Sequence, residues 1–259
     1  MSYWQERMAK SQNKLTTKNI KQIEKQMRKY YGDTMNRVIA DFENTYNKLL
    51  ATVGEGKQPT PADLYKLDKY WKMQSQLQKE LRKLGDKKVS LLGKVFEVEF
   101  FDVYYSIALE GLEAFTQIDS AMAQEMINQI WVADKKSWSE RIWEDTSKLQ
   151  KELNENLMDC VIAGRKTSDL KHRLQERFGV SYNRADSVVR TEMSHIQNQA
   201  AKKRYEDYGI KEFMVWADKD ERRCDVCGKL HEKHYPIGSN PPIPAHPRCR
   251  CSIIPVVED

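Results

Sequence analysis

Apolar residues between positions 20 and 49 recur at helical spacing: Ile20, Ile23, Met27, Tyr30, Val38, Phe42 and Leu49. That period predicts a long amphipathic helix and not a strand. Gly54-Glu55-Gly56-Lys57-Gln58-Pro59-Thr60-Pro61 breaks it. Thr60 then has the chemistry of an N-cap, with Pro61 at the first helical position and Asp63 at the third. A second helix follows, carrying Leu64, Leu67, Trp71, Leu77, Leu81 and Leu84 on one side, and Gly85 is placed to end it. A third helical stretch covers roughly 88–115 around Phe96, Phe100, Tyr104 and Ile107, although Val95, Val98 and Val103 also permit strand. Further helices are expected near 120–132 and from a cap at Ser137 through Trp138, Ile142, Leu149, Leu153, Leu157 and Val161, stopping before Gly164. Ser168-Asp169-Leu170 opens a short helix closed by Gly179, and Ser181 or Asn183 opens another that runs to Gly209.

After Gly209 the period changes. Phe213-Met214-Val215-Trp216 and Ser252-Ile253-Ile254-Pro255-Val256-Val257 read as strands, separated by a loop containing Gly228, Gly238 and the prolines of 241–247. The expected fold is mainly α, a long helical N-terminal body with a small, β-rich, metal-stapled C-terminal module. Residues 1–160 form the helical region, an extended hairpin or a bundle, and residues 161–259 the second domain. The Met and aromatic stripes on the helices read as core.

Charge is distributed unevenly. Residues 1–90 hold 19 Lys+Arg against 10 Asp+Glu, residues 91–160 hold 6 against 14, and residues 161–259 hold 18 against 14. Basic ends around an acidic middle fit solvated helix faces, and they also admit an acidic partner such as DNA. No apolar run approaches the roughly 20 residues of a membrane span. The first residues lack a signal-peptide apolar core, so a cytosolic setting with reduced cysteines and no membrane partner is expected.

Four of the five cysteines fall in the last 36 positions, which suits a metal site better than a disulfide framework. Cys224-Asp225-Val226-Cys227-Gly228 is a C-x₂-C-G turn able to aim two thiolates at one ion. His246-Pro247-Arg248-Cys249-Arg250-Cys251 supplies three more donors, of which Cys249 and Cys251 share a face of an extended strand. One structural Zn²⁺ takes four ligands. The preferred set is Cys224, Cys227, His246 and Cys249, and the alternative replaces His246 with Cys251. His231 and His234 are further donors in a charged loop. A redox C-x₂-C would need a strand feeding a long helix, which the pattern lacks. The deaminase H-x-E motif is absent as well, and a closed thiolate-rich site is structural, so no catalytic residue is expected.

Upstream, Ala185-Asp186-Ser187-Val188-Val189-Arg190-Thr191-Glu192, with Asn198 and Ala200, resembles the R-T-E…N-x-A helix of Mu F-like minor head proteins of tailed bacteriophages. The resemblance continues through Gly209, Trp216, Asp218, Arg222 or Arg223, Cys224-x₂-Cys227, Leu230, Pro241-Pro242 and His246-Pro247-x-Cys249-Arg250-Cys251, about residues 160–257. The chain departs from it at His231-Glu232-Lys233, where the family often has a glycine. The resemblance implies a minor capsid protein of head morphogenesis, located in the virion and, during assembly, the host cytoplasm. Its implied partners are the portal protein and the major capsid or scaffolding protein, with a role in packaging or delivering DNA. Two other functions fit the residues: a zinc-dependent nuclease or hydrolase using His231, His234 or His246 as base, and a DNA-binding module built on the basic N-terminal helices. Arg190 and Glu192, two positions apart, do not share a helix face, so Arg190 is expected to reach another element and dock the helix on the zinc module. Asn198 is expected to satisfy buried backbone groups.

Overall fold

The computed structural model describes residues 3–109, 118–217, 220, 221 and 223–257, with side chains from Arg7 onward. The elements are α1 (Tyr3–Val53), α2 (Pro61–Tyr65), α3 (Asp68–Ser106), α4 (Ser120–Ile127), α5 (Trp138–Ile162), α6 (Thr167–Asp207), β1 (Glu212–Trp216), α7 (Asp225–Leu230), β2 (His234–Pro236) and β3 (Ser252–Val256). The mainly helical fold with a small C-terminal sheet is the one the pattern predicts.

The long helices keep one face buried by repeating a 3-4-4 spacing. On α3 the buried row is Tyr70, Met73, Leu77, Leu81, Leu84, Lys88, Leu92, Val95, Glu99 and Val103. On α6 it is Leu170, Leu174, Phe178, Ser181, Ala185, Val189, Glu192, Ile196 and Ala200. An 11-residue repeat averages about 3.67 residues per turn, close enough to the natural helix for the row to stay on one side over many turns. The Thr60 cap is present with Pro61 at the start, and Thr60 and Asp63 form a reciprocal capping box. It opens only a single short helix, however, and α3 is separate.

Four expectations need correction. Gly85 lies inside α3, which continues to Ser106 and leaves no strand at Val95–Val103. A Cβ on Gly85 would lie 2.2 Å from the Trp143 ring, so the glycine admits an indole and does not end a helix. Trp71 is 59 % exposed, off the leucine row. Gly179 likewise lies within α6, one helix instead of the expected two. The loop between the predicted strands contains α7 and β2. The expected helix over 110–115 lies outside the described residues.

The chain forms two compact units, each drawn from separate segments. Unit 1 comprises Met1–Glu24, Leu91–Trp138 and Ser187–Asp259, and unit 2 comprises Lys25–Ser90 and Ser139–Asp186. Unit 2 buries a polar cluster within its helical core. Lys88, fully buried, donates to Tyr31 Oη (3.2 Å) and Thr146 Oγ1 (2.8 Å) and lies 3.7 Å from Asp145. Asp145 also accepts from Ser181 (2.7 Å) and Arg184 Nε (2.6 Å), and Arg184 grips Glu152 through both terminal nitrogens. Burial lowers the Lys88 pKa to about 8, with Asp145 opposing.

Unit 1 contains the sheet, antiparallel in the order β2-β1-β3. Phe213 stands opposite Tyr235 on one side and Pro255 on the other. Pro255 has no N–H to donate, which suits the edge strand β3. Met214, Trp216 and Ile254 pack with Ala9 of α1. Among the described residues, no helix is long and apolar enough to cross a membrane.

Candidate metal centre

The five donors come together at one end of the sheet. Cys224 is the N-cap of α7, where its Sγ accepts from the Cys227 N–H at 3.4 Å. Gly228 is therefore helical and not the turn residue expected from C-x₂-C-G. One turn of helix places Cys227 inward at 4 % exposure. Cys249 follows a turn in which its N–H donates to the His246 carbonyl (3.1 Å), and Arg248 takes a left-handed φ of 62°. Cys251 precedes β3.

The donor atoms of Cys224, Cys227 and His246 lie within 4.8 Å of one another, as do those of Cys227, Cys249 and Cys251. Cys227 belongs to both groups, with its sulfur 3.1 Å from His246 Nε2 and 3.8 Å from Cys249 Sγ. His246 Nδ1 faces the Pro247 carbonyl at 2.8 Å, which leaves Nε2 as the inward donor. A soft, thiolate-rich set at these separations fits a Zn²⁺-type ion.

Electrostatics at the cluster divides the thiols, lowering Cys224 and Cys249 and raising Cys227 and Cys251. A hydrogen bond from the Cys251 thiol lowers the Cys249 pKa to about 5, while Cys251 is raised by the same contact. Burial raises Cys227 to about 12. The Cys227 N–H lowers Cys224. His246 is raised: burial opposes this, but the Pro247 carbonyl and the thiols of Cys249 and Cys224 prevail.

His231 and His234 lie outside both donor groups. His231 Nδ1 accepts from the Ala217 N–H at 3.2 Å and its ring packs edge-on to Trp216. His234, on β2, faces Glu212 at 3.5 Å.

α6 holds the cluster through residues at and near the R-T-E…N motif. Thr191 Oγ1 accepts from the Arg248 N–H at 3.0 Å. Asn198, fully buried, donates to the Cys251 carbonyl (3.0 Å) and accepts from the Ile253 N–H (2.9 Å). Its amide thus replaces a strand partner for β3 beside a candidate ligand. Arg190 reaches another element, as expected, and pairs with Glu24 of α1. Glu192 is buried and accepts from the Trp131 indole at 3.0 Å. Trp216 is buried on β1, and Asp218 lies outside the described residues. The motif pattern singles out Thr191 but not Gln197, which bonds Thr16 and Ser252. Its only signal was position, between Ile196 of the buried row and the motif's Asn198.

The architecture is that of a helical protein whose small terminal sheet is fastened to a signature helix and to a Cys/His cluster. Residues 151–254 match the family described as Phage Mu protein F like protein, so this region of the chain is similar to the Mu F-like phage head proteins. No curated protein and no solved structure matches the chain.

Proposed function

We propose that the protein is a minor capsid component of phage head morphogenesis whose Mu F-like region is stapled by one structural Zn²⁺. The observation that carries this is the convergence of five soft donors inside the segment that matches the family. A three-stranded sheet of short strands buries little surface, and a structural zinc supplies folding energy to such a module. The ligands are drawn from Cys224, Cys227, His246, Cys249 and Cys251. The ion's role is architectural: it fixes α7 and the His246–Cys251 loop against α6. The partners on this reading are the portal protein and the major capsid or scaffolding protein, with DNA a contact during packaging or delivery.

Metal analysis of protein purified without added zinc is expected to give about one Zn per chain. Cys224→Ser is expected to lower that stoichiometry and to loosen residues 212–257. A full metal complement in the variant overturns the ligand set. Electron microscopy of intact particles tests the morphogenetic role, and absence of the chain from proheads and heads alike would overturn it.

A further inference from the structure

Thr16 of α1 has a single hydroxyl proton and three acceptors around it. Its Oγ1 lies 3.2 Å from the Gln12 carbonyl, 2.7 Å from Gln197 Oε1, and in close contact with Glu99 Oε1. Glu99 of α3 is fully buried, and its other oxygen accepts from Asn19 Nδ2 at 2.7 Å. Gln197 presents Oε1 to Thr16 because its Nε2 faces Ser252 Oγ and Asn13 Oδ1; in that orientation, with Glu99 ionised, two buried oxygens compete for one proton and one is left unsatisfied.

A neutral Glu99 removes the conflict. Its own hydroxyl donates to Thr16, and Thr16 donates to Gln197 Oε1. Gln197 Nε2 donates to Ser252 Oγ (2.9 Å) and toward Asn13 Oδ1 (3.3 Å). Ser252 Oγ donates to Asn13 Oδ1 at 3.0 Å. The chain runs from α3 through α1 and α6 to β3 and returns to α1, with each donor used in one direction.

We propose that Glu99 is a neutral carboxylic acid that orients this chain, and that loss of its proton unlatches the first turns of α1 from α6 and β3. The groups facing it are Thr16 and Asn19 of α1 and, from its own helix, the Asp102 carboxylate; Gln197 of α6 lies beyond Thr16. Burial, aided by Asp102, raises its pKa to about 7 against the hydrogen bonds from Thr16 and Asn19. An acid raised in the folded state binds more protons there than in the unfolded chain. The stability of the neutral form is therefore fully present below the ordinary carboxylate pKa of about 4.3 and is lost as pH rises through about 7.

Glu99→Gln tests this, because the amide can donate to Thr16 and accept from Asn19 as the neutral acid does. Urea unfolding of the full metal-loaded chain is compared for wild type and variant at pH 5 and pH 8. Both carry the same metal site, so its own pH dependence cancels in the ratio. Relative to the wild type, the variant's folding constant is expected to be larger by about sixfold at pH 5 and on the order of a few hundredfold at pH 8. A ratio that does not change with pH overturns the proposal. Amide exchange of residues 9–19, corrected for intrinsic rates, is expected to quicken from pH 5 to pH 8 in the wild type alone, and equal acceleration in both overturns the unlatching. The carboxyl-carbon resonance of Glu99 in the wild-type chain decides independently of whether the variant folds. A midpoint near 7 supports the neutral acid, and a midpoint in the ordinary carboxylate range overturns it.

Discussion

Asn198 shows how much one side chain can organise. Its amide meets a carbonyl and an N–H that flank the start of β3 and would otherwise be buried without partners. Asn198→Ala leaves both groups unsatisfied, and a loss of about 2 kcal/mol in urea unfolding is expected. Because the carbonyl belongs to Cys251, a candidate ligand, the same variant is expected to bind zinc about tenfold more weakly in a chelator competition, as outer-shell changes do. Arg190, two positions before Glu192, contributes differently. Its partner Glu24 sits on α1, so the motif's cation fastens α6 to another helix while Thr191 and Asn198 hold the loop and strand that carry the Cys/His cluster.

The long helices show what a glycine means in context. Gly85 and Gly179 look alike in the sequence, and each falls where a helix stop is plausible. In the fold both are helical, but their surroundings differ. Gly85→Ala would press a methyl group into the Trp143 ring, and a loss of about 1–3 kcal/mol is expected from overpacking. Gly179→Ala meets nothing within 4 Å and is expected to stabilise by about 0.5–1 kcal/mol, the ordinary helix gain. Equal effects of the two in thermal unfolding would contradict the packing account. The buried rows also contain Lys88, Glu99, Ser181 and Glu192 at in-phase positions. These polar residues interrupt the apolar stripe, but it is Gly85 and Gly179, taken as helix stops, that make continuous helices of 39 and 41 residues read as two each.

Across the whole molecule, the donor cluster and the buried Lys88–Asp145–Arg184 cluster fall in different units. Unit 2 rests on helix packing and the Lys88–Asp145–Arg184 cluster. The sheet in unit 1 depends on its few strands, on α6 and on the donor cluster. Chelation is therefore expected to speed amide exchange in β1, α7, β2 and β3 while leaving residues 25–90 and 139–186 protected. Uniform exchange of the whole chain after chelation would show that the ion holds more than its module.

The sequence by itself determined the helical period, the Thr60–Asp63 capping box, strands β1 and β3, and the five donors with the family pattern around them. Each of these is written in short-range spacing, which neighbouring residues enforce on their own. Only the tertiary structure decided that α3 and α6 run unbroken, that Arg190 meets Glu24, that α7 and β2 occupy the cysteine loop, and that Glu99 shares a proton-limited chain with Thr16 and Gln197. Those outcomes depend on groups tens to nearly two hundred positions apart, as Gly85 with Trp143 and Thr16 with Gln197 are. A polar residue on a buried row acquires its meaning from the partner that packing brings to it.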